Sequence, residues 1–473
     1  MTDTQQTSGK NSPVITDFGI DTTAQSTMDS VRDYFARLRG GELGTLPALL
    51  GLAVLVAYFA YRSEFFLTLD NIANLFQQSA GQIIIAMGLV FVLLLGEIDL
   101  SAGTASGVCA SIMALHFLQN GNLQGGMHSN TYWLFVGFLA LAIVLGLLMR
   151  IWVGALLSVV ALVLVVSGLS QNAWIEMLLA LSVGTAIGVI TGFLVSKIGM
   201  PSFVVTLALF IAWQGVILEF IGDRGSIRLG KGVLDKVANG NLSVAWSWVF
   251  CAVAVLAYAG WVLGEHILRL RRGLVTLPTP VVLFKVSAIA VIAVVVTYAF
   301  SLNRAQNANI VIKGVPFVVP IVLVLLALGT YVLNRTRYGR HIYAVGGNAE
   351  AARRAGINVS KIRASVFVVC SSAAALGAIV YSSKAGSVDP QAGGLNTLLF
   401  AVGAAVIGGT SLFGGRGKVV HAVIGGLVLG VVANGLGLLR YSPGVVNMIT
   451  GLVLLVAATV DALSRRRAAA LAG

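Results

Sequence analysis

The sequence predicts an all-α fold: a polytopic transmembrane helical bundle of about 10–14 spans. Three observations predict it. Hydrophobic residues make up 57% of the 473 residues and charged residues only 10%, with a mean hydropathy of +0.91. A soluble domain would carry about 25% charged residues. Apolar runs long enough for a helical crossing recur along the whole chain, and Lys and Arg are distributed unevenly between alternate loops. The formal net charge of +13 then reads as basic loops facing anionic lipid, not as a surface for nucleic acid. The three cysteines (Cys109, Cys251, Cys370) and five histidines are scattered, so neither a disulfide framework nor a metal site is expected.

The chain divides into a polar tail over 1–40, a membrane domain over 41–465 and a short basic tail over 466–473. The first tail is rich in Thr, Ser, Gln and Asp and has no apolar core of the kind a cleavable signal needs. Residues 1–28 read as disordered. Met28–Arg39 carries Val31, Tyr34, Phe35 and Leu38 at helical spacing, a candidate interfacial helix.

Apolar runs then fall near 46–61, 76–95, 100–118, 133–149, 151–169, 173–196 and 202–221. A further set falls near 245–263, 281–300, 316–333, 364–381, 395–412, 418–437 and 443–462. With the N-terminus placed inside and the spans alternating, most of the 31 Lys and Arg residues lie on inside segments, as the positive-inside rule requires. Gly222–Asn241 resists this, because Arg224, Arg228, Lys231 and Lys236 fall on the outer side. The loop reads as either an error in the span count or a basic outer surface for an acidic partner. Arg150 separates two runs with almost no loop, so Tyr132–Ser170 reads as a hairpin at the periphery. Gly184, Gly188 and Gly192 lie four apart on one helix face, a spacing that lets helices approach closely. Glu176 near the start of its span is expected at the interface. Ser196-Lys-Ile and Phe203-Val-Val recur as Ser360-Lys-Ile and Phe367-Val-Val, a faint two-fold echo.

Three stretches stand out for function. Gly96-Glu97-Ile98-Asp99-Leu100-Ser101-x-Gly103 puts two acids at a span junction, where charge is costly without a role. Asp99 and Ser101 read either as helix caps at a membrane boundary or as part of a broken helix along a path. Gly408-Gly409-Thr410-Ser411-Leu-Phe413-Gly414-Gly415-Arg416-Gly417 predicts an interrupted helix. Interrupted backbone at membrane depth must line a cavity or be buried in protein, so the stretch reads as a path wall or a packing seam. Arg337–Arg363 is the longest strongly basic polar interruption. At its centre Asn348 reads as an N-cap, Glu350 lies in the first turn, Arg353 and Arg354 lie in the last, and Gly356 follows as C′. A helix of about two turns does not persist alone in water, so it must dock on something. Its small face, Ala351, Ala352 and Ala355, suits insertion into a cleft. A solvated surface turn is the alternative.

The third stretch, Gly346-Gly347-Asn348-x-Glu350-Ala351-Ala352-Arg353-x-Ala-Gly356-Ile357 after Thr336-Arg-Tyr-Gly339-Arg, resembles the coupling loop of permeases of sugar ABC importers in the ribose/xylose branch. The Gly96–Gly103 and Gly408–Gly417 motifs, together with Asn434-Gly435 and Gly451-Leu-Val-Leu-Leu-Val, resemble the same family. The resemblance covers roughly Leu46–Ala462. Leu398-Leu399-Phe400 stands where many relatives carry acids, which tilts the resemblance towards the xylose-type subgroup.

The resemblance implies a homodimer of permeases in the bacterial plasma membrane, with both termini cytoplasmic and lipid around the bundle. It implies a cytoplasmic ATP-binding subunit held at Gly346–Ile357 and an extracytoplasmic sugar-binding protein. It also implies a translocation path through Glu97, Asp99, Ser101, Gly103, Gly408, Gly409, Thr410 and Ser411, with no catalytic residue, metal or cofactor. An ion-coupled secondary transporter is the main alternative; it calls for ionisable groups near mid-membrane, and the spans look almost free of them. A channel or lipid scaffold is a third. Gly225–Gly232 approximates a phosphate-binding GxxxxGK loop, but it lacks the closing hydroxyl residue and sits between spans, so it is declined.

Overall fold

The computed structural model describes residues 45–472 except 170, 171, 275, 306 and 308, and side chains as far as Val456 together with Thr459. The expected tail over 1–40 and its interfacial helix lie outside the described residues. Trp248–Val296 falls in one compact unit, and Gly41–Ser247 with Thr297–Gly473 makes up a second. Within Trp248–Val296, Arg269 pairs with Glu265 at 2.6 Å and His266 meets Thr279 at 3.0 Å.

The helices are α1 Leu46–Arg62, α2 Leu69–Leu94, α3 Ala102–Leu118, α4 Ser129–Leu148, α5 Trp152–Ser167, α6 Ala173–Phe193 and α7 Ser202–Ile221. Next come α8 Val233–Asn239, α9 Val244–Arg271, α10 Thr279–Ser301, α11 Val318–Arg335, α12 Arg337–Gly347 and α13 Ala349–Arg354. The chain closes with α14 Val359–Ala385, α15 Leu395–Ile407, α16 Val419–Leu438 and α17 Pro443–Ala472. Among the described residues nine helices are long and apolar enough to cross a membrane, and five further apolar helices have 10–17 described residues. Together they account for every apolar run read from the sequence. The one sheet among the described residues is a short antiparallel pair, β1 Ile227–Arg228 and β2 Ser387–Val388, with Ile227 opposite Val388.

Helix α14 is the spine of the second unit, and glycines let its neighbours close on it. A Cβ on Gly184, Gly188 or Gly192 of α6 would sit 2.7 Å from the carbonyl oxygens of Ser371, Phe367 and Ala364 respectively. On another side, a Cβ on Gly81 or Gly88 of α2 would sit 2.9–3.0 Å from the carbonyl oxygens of Gly377 and Cys370. Helices in lipid gain little from hydrophobic exclusion, so contact of this closeness supplies the association. At one end of the bundle, Asn71 and Asn434 exchange reciprocal amide bonds of 2.9 and 3.0 Å between α2 and α16.

Three expectations are refined. As far as residue 169 the expected hairpin forms, turning at Arg150 with a left-handed φ of 57°, but it is only partly peripheral. Leu139, Ala142 and Ala161 are fully buried in the core it shares with α3 and α6. Glu176, in the first turn of α6, is buried in protein: both its carboxylate oxygens lie 2.9–3.0 Å from His116 Nδ1, and both side chains are fully buried. The two-fold echo is not equivalent in structure. Ser196-Lys-Ile ends α6 in a π-helical turn, Leu194–Ile198, whereas Ser360-Lys-Ile opens α14; the two copies meet where Ser360 Oγ donates to the Ser196 carbonyl at 2.9 Å.

Gly222–Asn241 is a built cap. Strand β1 pairs with β2 just past the C-terminus of α14, and Ser383 Oγ ties the backbone of α8 at Asp235 and Ala238 with bonds of 2.9 and 2.8 Å. Tyr338 of α12, by contrast, meets Ser365 near the N-terminus of α14. A 27-residue helix spans about 40 Å, so the basic loop and the α12–α13 segment lie at opposite ends.

Candidate coupling site

Local chemistry explains the α12–α13 segment. Thr336 caps α12 by accepting from Gly339 N at 3.1 Å, and Tyr338, Ile342 and Val345 form a stripe at helical spacing. Ile342 and Val345 are buried, and Tyr343 Oη donates to the Gly417 carbonyl at 2.8 Å. Burial pushes the Tyr338 phenol up to about 12, against the pull of its hydrogen bond with Ser365, and pushes Tyr343 up as well. Both phenols therefore keep their protons at neutral pH.

Helix α13 has the ends its sequence asks for. Asn348 Oδ1 accepts from Ala351 N at 2.9 Å, and Glu350 pairs with Arg353 at 3.0 Å and Arg354 at 3.4 Å. At the other end Gly356 has φ +82°, Gly356 N donates to Arg353 O, and Ile357 N donates to Ala352 O. That pair of bonds is a Schellman motif. Six residues cannot hold a helix alone in water. What holds it is its own chain: Ala352 is buried, and Ala349 and Ile357 pack against the same cluster as Val359 and Ile362. Ala352 is thus an anchor and no part of an outward face, a correction to the expected small docking surface. Gly347, Asn348, Glu350, Ala351, Arg353, Ala355 and Gly356 remain exposed, and Gly346 and Ile357 are half-buried.

The three stretches read separately in the sequence meet in space. Gly415 N donates to the Leu94 carbonyl at 2.9 Å, so the Gly408–Gly417 turn hangs from the end of α2. A Cβ on Gly346 would lie 2.9 Å from the Leu94 carbonyl carbon, nearer still to its oxygen, and 3.1 Å from Gly415 N. A Cβ on Gly414 would lie 2.9 Å from Gly96 N and 3.0 Å from the Gly346 carbonyl. Three backbones touch here with no side chain between them. Glu97 extends the junction by pairing with Arg363 Nε at 2.9 Å, linking the α2–α3 break to the first turn of α14.

The residues expected along a path are mostly packed in protein. Asp99 is 1% exposed and accepts from Ser101 N at 3.0 Å and Ser101 Oγ at 2.6 Å. Ser101 occupies the N-cap position of α3 but makes no side-chain cap of its own, and Asp99 holds that residue by both its N–H and its hydroxyl just ahead of the helix. Ile98 is pinned to α7 from both sides, by Ser202 Oγ at 3.2 Å and Thr206 Oγ1 at 3.2 Å. Gly103 presses on the Gly393 carbonyl, and a Cβ there would lie 2.7 Å from its oxygen. Gly408 and Thr410 are buried beside His421, Thr410 Oγ1 lying 3.3 Å from its Nδ1, and Ser411 N donates to Arg416 O at 2.9 Å. Gly409 is half-buried with φ +109°.

Sequence reading missed α12 and Arg363. The signal for α12 was present in the spacing of Tyr338, Ile342 and Val345, hidden by three glycines and three basic residues within the same eleven. Nothing local marks Arg363 as the partner of Glu97, because 266 positions separate them.

The sequence model of the family described as "branched-chain amino acid transport system / permease component" matches residues 152–458. The chain is 28% identical to the xylose transport system permease protein XylH of Escherichia coli strain K12, over 92% of this chain and 95% of that protein. It is 29% identical to the XylH of Haemophilus influenzae, over 91% of this chain and 99% of that one. It is also 29% identical to the ribose import permease protein RbsC of E. coli K12, over 91% of this chain and 97% of that one. These relatives are transport permeases and not enzymes. No solved structure matches.

Proposed function

This chain belongs to the family of branched-chain amino acid transport system permease components, and from that premise we propose that it is the membrane-spanning permease of an ATP-driven sugar importer. Its cargo is xylose or a related pentose or hexose, by analogy with the xylose and ribose permeases it is similar to. It sits in a bacterial plasma membrane as a homodimer among lipids, with both termini in the cytoplasm. A cytoplasmic ATP-binding subunit grips α13, and an extracytoplasmic sugar-binding protein delivers the cargo to the opposite end.

One observation carries the reading. The exposed, doubly capped α13 is joined through the bare backbone contacts of Gly346, Leu94, Gly96, Gly414 and Gly415 to both interrupted stretches of the bundle. Closure of the ATPase pair pushes α13. The push passes to the α2–α3 break and to the turn after α15, with no flexible side chain to absorb it. Packed elements have discrete alternative arrangements, so such a push switches the bundle between outward- and inward-open states. No covalent chemistry takes place in this chain.

The test is uptake by vesicles holding the permease, its ATPase and the binding protein. Glu350→Ala removes two exposed intrahelical pairs, a stability change of only tenths of a kcal/mol. Gly356→Val puts a β-branched residue at φ +82°. Both changes are expected to abolish ATP-dependent uptake while the protein still inserts. An ATPase subunit that co-purifies undiminished with both variants would count against α13 as the grip.

A second reading, ion-coupled transport, draws on the fully buried His116–Glu176 pair, which lies in the last turn of α3 and the first turn of α6 and not near mid-span. Uptake driven by a proton gradient in ATP-depleted vesicles would establish it; uptake that needs ATP and survives a protonophore would exclude it.

A further inference from the structure

Away from the coupling junction, α2, α14, α15 and α16 line an open cavity of about 250 Å³. Gln78, Ser79 and Gln82 line it from α2, Tyr381 and Lys384 from α14, and Phe400 from α15. Gln82 lies twelve residues before Leu94, about 18 Å up the helix from the junction. From the geometry we infer that this cavity is a binding subsite for one neutral sugar molecule within the permease itself. The inference rests on the importer reading above and adds a place and a chemistry to it.

Four features argue for an occupant. Gln78 and Gln82 stand one turn apart on the same face of α2, the second of them immediately before the wholly apolar run Ile83–Leu94. Polar side chains in a span are costly unless they meet a partner or a water-filled space. Ser79 is 2% exposed, and its hydroxyl is buried without a hydrogen-bond partner. Opposite stands Gly430, where a Cβ would collide with that hydroxyl, so the wall is kept bare beside a group that needs a bond. Finally, Lys384 directs one of its three ammonium donors to Gln77 Oε1 at 2.9 Å and lies beside the cavity.

The lining chooses the ligand. No carboxylate lines the cavity, so nothing in it would hold a metal ion or an organic cation. Two amides offer donors and acceptors in pairs, matching adjacent hydroxyls that both donate and accept. Tyr381 and Phe400 offer flat apolar area to the C–H face of a sugar ring. The volume falls below the roughly 300–1,000 Å³ of sites for drug-sized ligands, and so suits a single ring and not an oligosaccharide.

The test is protection of an introduced thiol. Cys109, Cys251 and Cys370 are all buried, so background labelling by a charged, water-soluble thiosulfonate is low. Gln82→Cys permease in membrane vesicles, without the binding protein, is labelled in the presence and absence of D-xylose. With a dissociation constant on the order of 10 mM, about 50 mM xylose leaves one cavity in six empty and slows labelling about sixfold. Gly347→Cys, exposed at the other end and labelled in inside-out vesicles, keeps its rate. Labelling of Gln82→Cys unaffected by xylose and by ribose overturns the inference. So does equal protection by inorganic phosphate, which would make the cavity an anion site. So does reactivity confined to dissociated monomers, which would make it a seam between permease copies. If Gln82→Cys does not insert, Tyr381→Cys on the opposite wall is read in the same way. ATP-dependent xylose uptake by the unaltered importer is measured alongside. Its absence refutes the importer reading, whereas uptake without protection refutes only the subsite.

Discussion

Replacing Gly346 with alanine tests the junction most directly, because its neighbour Gly347 supplies the control. The added methyl at 346 would lie 2.9 Å from the Leu94 carbonyl carbon and inside contact distance of its oxygen, with Gly415 N at 3.1 Å. Neither obstacle is a side chain that can swing away. Helix α12 must back off from α2 by on the order of 1 Å, an overpacking cost of about 1–3 kcal/mol. If that movement also stretches the 2.9 Å Gly415–Leu94 bond beyond hydrogen-bonding range, the unsatisfied buried groups add about 1–3 kcal/mol. The total, roughly 2–6 kcal/mol, falls on the contact proposed to carry the stroke. At Gly347 a Cβ meets nothing within 4 Å. Alanine there should be neutral, or stabilising by about 0.4–1 kcal/mol through the unfolded chain. The assay pairs ATP-dependent uptake in vesicles with thermal aggregation of the detergent-purified complex. Gly346→Ala is expected to lower the aggregation temperature and remove most uptake while the ATPase stays bound; Gly347→Ala should match the unaltered protein. Indistinguishable behaviour of the two variants would refute the argument that backbone contact at 346 transmits the motion.

Two further outcomes follow from paired residues. Glu97→Arg and Arg363→Glu should each cut uptake, since each leaves like charges facing one another at a partly buried site, and the double exchange should restore much of it. A double exchange no better than either single change would show that the pair is incidental. Asn71→Leu or Asn434→Leu alone should cost about 1–2 kcal/mol, measured by denaturant titration in detergent, because each strands an amide in the bundle. The double change should cost less than the sum of the two, and strict additivity would mean that the reciprocal bonds contribute nothing.

Hydropathy alone determined the all-helical membrane class and located every apolar helix, because a backbone in lipid has no solvent to bond and must satisfy itself within each span. Local rules also determined α13 to the residue: Asn348 at one end and Gly356 at the other act on their nearest neighbours, so their effect is written in adjacent letters. What the helix leans on was not written there. Burial of Ala352, the pairing of Glu97 with Arg363, the His116–Glu176 pair and the meeting of Gly346, Leu94 and Gly415 each join residues from separate stretches of the chain. A glycine signals that a close approach is allowed but not which backbone approaches. That choice belongs to the crossing of packed helices, and only the tertiary structure made three separate glycine motifs into one junction.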